Sequence, residues 1–540
     1  MDRMNQTGKL RRKVNISDLN NLLDSKFFIV SILIFLVFLL VNCDRSKTYY
    51  IDPLGNDTNK GTSIKSPWKS LKKVNGKIFK PGNKILFKAG GIWNGQLSPK
   101  GSGLPNNPII LGMYGKGAKP SINGNGISGL KAGTLLLYNQ DYWEVENLDI
   151  TNKFDSSDTR YGILVRWHNY GTGQHIHIRN CDIHDVNGSM EGRFIGDGIL
   201  VVATGTEKQT NYNDVLIRNC SIKNVDRTGI SIWSQWHIRH GMDYDVKNKE
   251  LYHSSNGPYK ASTNVVIRNN SLENTGGDGI IVSCTKGALI EYNIVNRANQ
   301  RGTTPNAGIW PHNSDEAVMQ YNEVYNTRYS GDGMGFDIDM LCNNCISQYN
   351  YSHNNEGGFH LICGPSGIGK TTGNIIRYNI SQNDGNTVFV FAGNVDSTMI
   401  YNNTIYIGEE LNTNPLGIWD FDGAIANNIF FYNNIIFNLG EGVYILNKSP
   451  NVQFKNNCFY GNHPINEPHD NYKIVDNPLF VNPGSGDIGR NTVDGYKLKS
   501  GSPCITNGKF IPNNGEKDYW QNPVSPINSP NIGAYNGTGK

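Results

Sequence analysis

The sequence predicts an all-β solenoid, in which short strands wind into coils that stack on one another. Three observations predict this class: an Asn-centred segment recurs along the chain, a Gly-led strand recurs beside it, and no repeat has room for a helix of normal length. The composition agrees, because 61 Gly and 27 Tyr in 540 residues are typical of turn-rich β proteins. Equivalent residues of successive coils are expected to lie about 4.8 Å apart and to form ladders.

The first repeat carries an Asn near its centre, as in "IRNNSLEN", "IEYNIVNR" and "IRYNISQN". The shared positions are Asn270, Asn293, Asn322, Asn350, Asn379 and Asn403, with successive gaps of 23, 29, 28, 29 and 24 residues. Buried Asn side chains stacked in this way can hydrogen-bond along the axis and satisfy the turn backbone. We therefore expect a polar ladder inside the solenoid.

The second repeat is a strand that follows a leading Gly. The aligned strands begin at Gly162, Gly198, Gly229, Gly279, Gly308, Gly335 and Gly358. The first and third residues after each Gly are apolar, so we expect them to point inward, and the second and fourth to point outward. Outward polar and aromatic residues gather in the last of these strands and predict one surface patch, formed by Trp310, His312, Asp337, Asp339 and His360.

With this pattern in view, the chain resembles the right-handed parallel β-helix proteins of the pectin-lyase-like type. The stretch "YYIDPLGNDTNKGTSIKSPWKSLKKV" resembles their entry coil, and "GSPCITNG" with "NIGAYNG" resembles their closing segment. The resemblance implies an all-β, single-stranded right-handed parallel β-helix over residues 44–540, with 234–263 as an inserted loop region. Members of this group are mostly polysaccharide lyases and glycoside hydrolases, so the resemblance implies a carbohydrate-active enzyme.

Paired carboxylates favour hydrolysis of a glycosidic bond. Asp337 and Asp339 are two residues apart on one predicted strand, which places their Cα atoms about 6.6 Å apart on the same side. Inverting glycosidases space their two carboxyl groups at roughly 6.5–9.5 Å. We predict that Asp337, Asp339 and Glu356 share the acid and base roles, assisted by His360. Asp332, in the turn "SGDGMG", is interpreted first as ordinary turn chemistry.

Residues that could bind the substrate surround this patch. The aromatic face of Trp310 suits a sugar ring, and the basic and His content near the site predicts an acidic polysaccharide or oligosaccharide. The loop region 234–263 is expected to wall the binding groove. The predicted substrate-binding residues are Trp310, His312, Trp233, Arg166, Arg328, Tyr329 and Lys370.

Two other functions stay open. β-Elimination by a lyase or dehydratase needs a base such as Lys, Arg, His or Tyr, and its Ca²⁺ could bind at Asp337 and Asp339. No Lys or Arg stands beside these two aspartates in the outward columns, which favours hydrolysis. A non-catalytic glycan-binding surface protein would need no carboxylate pair.

The segment "GPSGIGKT", Gly364 to Thr371, matches a phosphate-binding loop letter for letter. It is followed by another copy of the Asn repeat instead of the helix that a phosphate site needs. We therefore predict a loop between coils and no nucleotide. A formal charge of +4, from 50 Lys+Arg against 46 Asp+Glu, predicts no nucleic-acid partner. Cys342 and Cys345 lack a second close pair, which favours a disulfide or buried thiols over zinc and predicts no firm cofactor.

The N-terminal residues 1–43 are predicted to be an export signal. Basic residues precede an uncharged apolar run over 27–41, which is short for a transmembrane helix. "LVNC" resembles a bacterial lipobox, and this resemblance implies lipidation at Cys43; an uncleaved membrane anchor is the alternative. The protein is then expected to be exported and lipid-anchored to a bacterial membrane, in the periplasm or at the cell surface.

Overall fold

A computed structural model describes residues 46–540, apart from 240–257, 368 and 448. Residues 48–540 form one compact unit. The predicted signal segment and Cys43 lie outside the described residues. Within the described ranges, no helix combines the length and the apolar character needed to cross a membrane.

Three long sheets of parallel strands form the protein, and the chain visits them in turn. Sheet 1 contains Thr48–Ile51, Lys84–Lys88, Ile109–Tyr114, Trp143–Glu146, Thr172–Arg179, Asn211–Arg218, Ser262–Arg268, Leu289–Glu291, Val318–Gln320, Ile346–Gln348, Ile375–Arg377, Val395–Tyr401, Asn427–Tyr432 and Val452–Lys455, with the short strands Thr285–Lys286 and Thr371–Thr372 beside it. Sheet 2 contains Ile92–Asn94, Ser121–Asn123, Asp149–Asn152, Asp182–Val186, Ser221–Val225, Ser271–Thr275, Ile294–Asn296, Glu323–Tyr325, Tyr351–His353, Ile380–Gln382, Thr404–Ile407, Ile435–Asn438 and Cys458–Gly461. Sheet 3 contains Gly133–Tyr138, Tyr161–His168, Ile199–Thr204, Ile230–Ser234, Ile280–Ser283, Ile309–His312, Met334–Ile338, Gly358–Gly364, Thr387–Gly393 and Asn414–Trp419.

Helical structure is sparse in the part of the chain that the structure describes. One short α-helix, Leu71–Asn75, buries Leu71 and Val74. One 3₁₀ turn, Val493–Tyr496, lies in the C-terminal segment. The predicted all-β solenoid is thus confirmed. Thr371, where a phosphate loop would feed a helix, begins a strand, as the repeat predicted.

The Asn ladder forms as predicted, at the sharp turn between sheets 1 and 2. Asn293 donates from its backbone N and from Nδ2 to Oδ1 of Asn322, both over 3.0 Å. The same pattern continues coil by coil to Asn457, which donates to Asp470. The residue before each ladder position has a left-handed backbone, as at Tyr321 with φ 55°. The ladder satisfies the polar groups of a buried turn.

The eight described cysteines from Cys181 onward are buried thiols without a disulfide. This agrees with one of the two alternatives predicted for Cys342 and Cys345. Cys181 and Cys220 occupy the ladder position in earlier coils, where they pack in the core in place of Asn.

Sheet 3 follows the predicted register up to Gly335, and the next strand then departs from it. Ile163, Ile199, Ile230, Ile280 and Ile309 pair in succession with their side chains inside. In the following strand Gly358 lies opposite Met334 instead of Gly335. A slip of one residue exchanges the inward and outward faces of a strand.

The slip moves His360 to the interior, so the prediction that this side chain faces outward is wrong. His360 lies opposite Phe336 and Phe389 and is fully buried. Gly358 is not the structural equivalent of Gly335: it begins the strand opposite Met334 and adopts φ 136°, a conformation that glycine alone enters readily. Leu361 takes the outward place next to Asp337.

Candidate active site

A cavity of about 640 Å³ opens on the outer face of sheet 3, over the last coils. Its floor consists of two columns of outward side chains. One column runs through Asp337, Leu361 and Val390. The other runs through Asp339, Cys363, Ala392 and Trp419. Carboxylates therefore stand at one end of the floor, and apolar groups and an aromatic ring at the other.

Asp332 forms part of the cavity wall. It stands in the turn before the strand Met334–Ile338, between two glycines with left-handed backbones, Gly331 at φ 99° and Gly333 at φ 92°. A Cβ on Gly333 would come within 2.6 Å of the Arg328 carbonyl oxygen, so the turn needs glycine there. Burial, and next the nearby charge of Asp339, raises the pKa of Asp332 to about 7. This carboxyl can therefore hold a proton near neutral pH.

Asp337 lies at the centre of the acidic end. It is 4% exposed, and its Oδ1 atom is buried without a hydrogen-bond partner. Burial raises its pKa well above the ordinary value, and the neighbouring Asp339 and Asp332 raise it further. A neutral carboxylic acid is the form that this environment favours.

Asp339 differs from its neighbours because donors hold one of its oxygens. Oδ1 accepts a hydrogen bond from the backbone N of Met340 over 2.7 Å and from the Cys363 thiol over 2.7 Å. Donors of this kind stabilise negative charge on the oxygen that they contact. Asp339 is thus the member of the trio best arranged to act as a carboxylate.

A cation reaches the cavity from a distant loop. Arg193 lines the cavity wall, donates to the carbonyl oxygen of Pro305 over 3.2 Å and lies 5.0 Å from the ring centre of Trp310. Trp310 is 3% exposed and donates from Nε1 to Asp278 over 2.9 Å. Its ring therefore supports Arg193, and it does not line the cavity as a sugar platform.

Three aromatic side chains line the cavity instead. Tyr329 is 47% exposed and Phe421 is 37% exposed, at opposite walls, and Trp419 continues one floor column. Of these, only Tyr329 was among the predicted substrate-binding residues. Aromatic faces beside carboxylates are the combination that sugar-binding clefts use.

Glu356 is not brought into the cavity. It is exposed, and its Oε2 accepts a hydrogen bond from the backbone N of Tyr329 over 2.8 Å. The side chain lines a separate depression of about 480 Å³ together with Asn383 and Glu409. Glu356 therefore supports the Tyr329 turn from behind.

His312 lies beside the acidic end without lining the cavity. Its Nδ1 is 2.9 Å from the hydroxyl oxygen of Ser283, and burial lowers its pKa to about 4. The opposing influence of Asp339 is smaller. A neutral imidazole at this position carries no charge for an anionic sugar at neutral pH.

The other predicted binding residues are scattered. Trp233 stacks on Phe194 at 4.7 Å between ring centres. Arg166 lies in the strand Tyr161–His168, four sheet-3 strands before Ile309–His312. Arg328 is exposed and donates to the carbonyl oxygen of Gln300, and Lys370 pairs with Asp396 over 2.7 Å. None of these four side chains lines the cavity.

The loop region 234–263 is described at its two ends. Trp236 is buried there, and Arg239 donates to Asn313 and forms an ion pair with Asp315. These contacts fasten the start of the insertion to the edge of sheet 3. Its predicted role as a groove wall falls on residues outside the described ranges.

Sequence reasoning missed Arg193, Cys363 and Trp419 and undervalued Asp332. Arg193 lies in a loop far from the site in sequence, and no local sequence pattern predicts that it lines the cavity. Cys363 and Trp419 could have been found by continuing the outward columns beyond Gly358 in the correct register. A signal for Asp332 was present in its Gly-Asp-Gly turn at the edge of the acidic strand.

Within the described ranges, the aspartates of the cavity do not belong to a group of three close His, Cys, Asp or Glu donor atoms. Among the described residues, one group offers three donor atoms within 4.8 Å of one another, formed by Glu144, His175 and His177 on sheet 1. Its members already contact Asp214 and Arg179. The Ca²⁺ that elimination would require at Asp337 and Asp339 finds no such triad of donors there.

Comparison with known proteins agrees with this fold. A family model for a right-handed β-helix region matches residues 109–304. A lacto-N-biosidase from Bifidobacterium longum subsp. longum is 28% identical over 562 residues, which cover 86% of this chain and 34% of the relative. The chain thus spans about a third of the length of this curated relative.

Solved structures extend the comparison. A lacto-N-biosidase of glycoside hydrolase family 136 from Eubacterium ramulus superposes with a TM-score of 0.58 at 26% identity, covering 76% of this chain and 68% of that one. The complex of XylC with xylose superposes with a TM-score of 0.52 at 12% identity, over 91% of this chain and 99% of that one, and shows the fold alone. The chain is a right-handed parallel β-helix protein. Its sequence and structure are similar to glycoside hydrolases.

Proposed function

We propose that the protein is a glycoside hydrolase that cleaves an oligosaccharide in the cavity over sheet 3. The observation that carries the proposal is that one cavity is lined both by Asp332, whose pKa is raised to about 7, and by Asp339, whose Oδ1 accepts two hydrogen bonds. Glycosidases use one protonated carboxyl and one carboxylate across the scissile bond. The similarity to lacto-N-biosidases supports the same class.

Asp332 takes the part of the acid in this proposal. It gives its proton to the glycosidic oxygen as the bond from that oxygen to the anomeric carbon breaks. Asp339 then either attacks the anomeric carbon itself or takes a proton from the water that attacks it. Asp337, whose pKa is raised by burial, stays neutral and can donate a hydrogen bond to a sugar hydroxyl. This assignment replaces the predicted Asp337, Asp339 and Glu356 trio by one in which Asp332 takes the place of Glu356.

The charges of the cavity favour a neutral glycan over the acidic one that the sequence predicted. With Asp332 protonated as the acid and Asp337 neutral, its lining still carries the carboxylates of Asp339 and Asp420 against a single Arg193 among the described residues. An anionic sugar would meet like charges in a partly desolvated site. The names of the relatives make a lacto-N-bioside the first compound to test.

The test compares substrates and products. The full chain is incubated with an aryl lacto-N-bioside and with neutral and uronic-acid oligosaccharides. We expect new reducing ends or released aryl alcohol and no absorbance near 235 nm. Turnover of the oligosaccharide should be lost in both Asp332→Asn and Asp339→Asn. Glu356→Gln is the matched control and should keep activity within a few-fold. Unsaturated uronides at 235 nm would establish elimination instead, and glycan binding without turnover would favour the surface-protein alternative.

We also propose that the chain is exported and anchored through a lipid on Cys43. The basic residues, the apolar run over 27–41 and the following Cys support this assignment. Labelling of cells with a fatty-acid probe, comparing the natural chain with Cys43→Ser, tests it. Labelling that persists in the Cys43→Ser chain would contradict it.

A further inference from the structure

The near-neutral total charge of the chain conceals a strong separation along the solenoid. Residues 46–140 contain 14 Lys, no Arg and 2 acidic residues, Asp52 and Asp57, a net charge of +12. Residues 141–540 contain 29 Lys+Arg and 40 Asp+Glu, a net charge of −11. The first coils form one end of the solenoid, so one end is basic and the remainder is acidic.

The basic charge lies at the surface of this N-terminal end. Eleven of the 14 lysines are exposed. Lys88 forms an ion pair with Asp52, and Lys119 forms one with Asp182. Because acidic residues are so few here, most of the positive charge has no carboxylate within the same coils to offset it. A cluster of this size attracts an anionic surface.

Large apolar side chains stand among these lysines. Leu54 is 90% exposed, Ile78 is 72% exposed and Ile64 is 60% exposed, all within the first coil and its short helix. Exposed apolar groups surrounded by lysines are typical of surfaces that enter the headgroup region of a bilayer. A soluble polyanion would use the lysines and gain nothing from the apolar groups.

The position of this end in the chain points to the same partner. The apolar run 27–41 ends six residues before the first strand, Thr48–Ile51. Seven peptide steps reach at most about 25 Å. When residues 27–43 are held in a bilayer, by a lipid or by the apolar run itself, the basic end is confined near the headgroups.

We infer that the N-terminal coils, residues 46–140, dock on the anionic lipid surface of a membrane and hold the solenoid end-on. The acidic remainder is repelled by the same surface, which favours this orientation. Eight strand spacings in sheet 1 separate Thr48–Ile51 from Val318–Gln320, the sheet 1 strand of the coil that leads to Asp332. At about 4.8 Å each, they place the cavity roughly 40 Å from the docked end.

The docking and the lipid anchor are separable. Residues 48–540 form one compact unit with its own core, so a chain that starts at Ser46 is expected to fold without the apolar run. Its binding to vesicles of neutral phosphatidylcholine and of phosphatidylcholine with 30% phosphatidylglycerol is measured by co-sedimentation. We expect binding to the anionic vesicles alone, lost in 0.5 M NaCl because salt screens surface charge.

Charge reversals locate the surface. Lys65→Glu, Lys69→Glu and Lys72→Glu together should lower the partition coefficient on anionic vesicles on the order of 100-fold, at several-fold for each lysine. The matched control reverses three exposed lysines of the C-terminal part of the chain, Lys455, Lys499 and Lys517, and should bind as the unaltered fragment does. Circular dichroism melting confirms that both variants fold.

Three results would overturn the inference. The first is equal binding of the unaltered fragment to neutral and anionic vesicles. The second is a loss of binding in the control variant as large as that in the test variant. The third is binding of the fragment to soluble polyphosphate and to neither kind of vesicle. The last result would assign the basic end to an anionic polymer. None of these results bears on hydrolysis or on the lipid at Cys43, which are measured separately.

Discussion

The thiol of Cys363 donates to Oδ1 of Asp339 over 2.7 Å, from the neighbouring strand of sheet 3. Burial raises the pKa of Cys363 well above its ordinary value, and Asp339 and Asp337 raise it further, so the thiol stays protonated and remains a donor. A neutral sulfhydryl thus stands where a hydroxyl or an amide often holds a catalytic carboxylate.

Replacement of this donor tests its contribution. Cys363→Ser retains an O–H and should keep kcat within about fivefold, whereas Cys363→Ala leaves Asp339 with the Met340 N–H alone and should lower kcat about 10- to 100-fold. Equal activities of the Ser and Ala variants would show that packing at this position, and not the donor, matters.

The raised pKa of Asp332 predicts an alkaline limb of activity. The acid must carry its proton, so kcat/KM should fall about tenfold per pH unit above about pH 7. Asp332→Asn should lose 10²–10⁴-fold on an oligosaccharide but far less on a dinitrophenyl glycoside, whose leaving group needs no proton. Asp339→Asn should lose activity on both substrates. A dinitrophenyl substrate that is lost equally in Asp332→Asn would argue that Asp332 is not the acid.

Asp197 predicts a pH-dependent stability independent of catalysis. Burial raises its pKa to about 7, Ser231 donates to Oδ1 over 2.7 Å, and Oδ2 has no partner. Since the folded pKa lies above the unfolded value near 3.8, the folded state binds the proton more tightly. Its contribution to stability is full below about pH 4 and is lost as pH rises to about 7, by roughly 4 kcal/mol.

Asp197→Asn removes this dependence. The free energy of unfolding of the variant should match the natural protein near pH 4.5 and exceed it at pH 8, as measured by urea denaturation. Asp155→Asn, at an exposed position, is the control and should show no such difference. A gain that is the same at both pH values would point to packing instead of ionisation.

The Asn ladder predicts a local stability cost. Asn350 accepts from Asn322 at its Oδ1 and donates from Nδ2 to Asn379 and to the carbonyl oxygen of Met319. Asn350→Ala leaves several buried polar groups unpaired and should destabilise the fold by about 3 kcal/mol. Asn412→Ala, at an exposed position, should change stability by less than about 0.5 kcal/mol. Equal effects of the two changes would mean that water replaces the ladder.

Much of the scaffold followed from the sequence because its signals are local and repeated. The Asn spacing predicted the ladder, and the alternation after each Gly predicted which side chains of the strands up to Gly335 face the core. Asp337 and Asp339 emerged side by side for this reason. The inward position of His360 could not be predicted, because the strand that begins at Gly358 is shifted by one residue relative to Gly335. Alternation within one strand does not determine the register of the next strand.

The sequence by itself determined a solenoid with an acidic patch on one strand, since periodicity dictates burial strand by strand. The tertiary structure decided what that patch can do. Arg193 and the wall at Asp332 reach it from loops, and the desolvation that raises the Asp332 pKa arises from side chains of several coils at once. The proton affinity of Asp332 and the shape of the cavity depend on distances between residues that are remote in the chain. A local sequence pattern does not predict those distances.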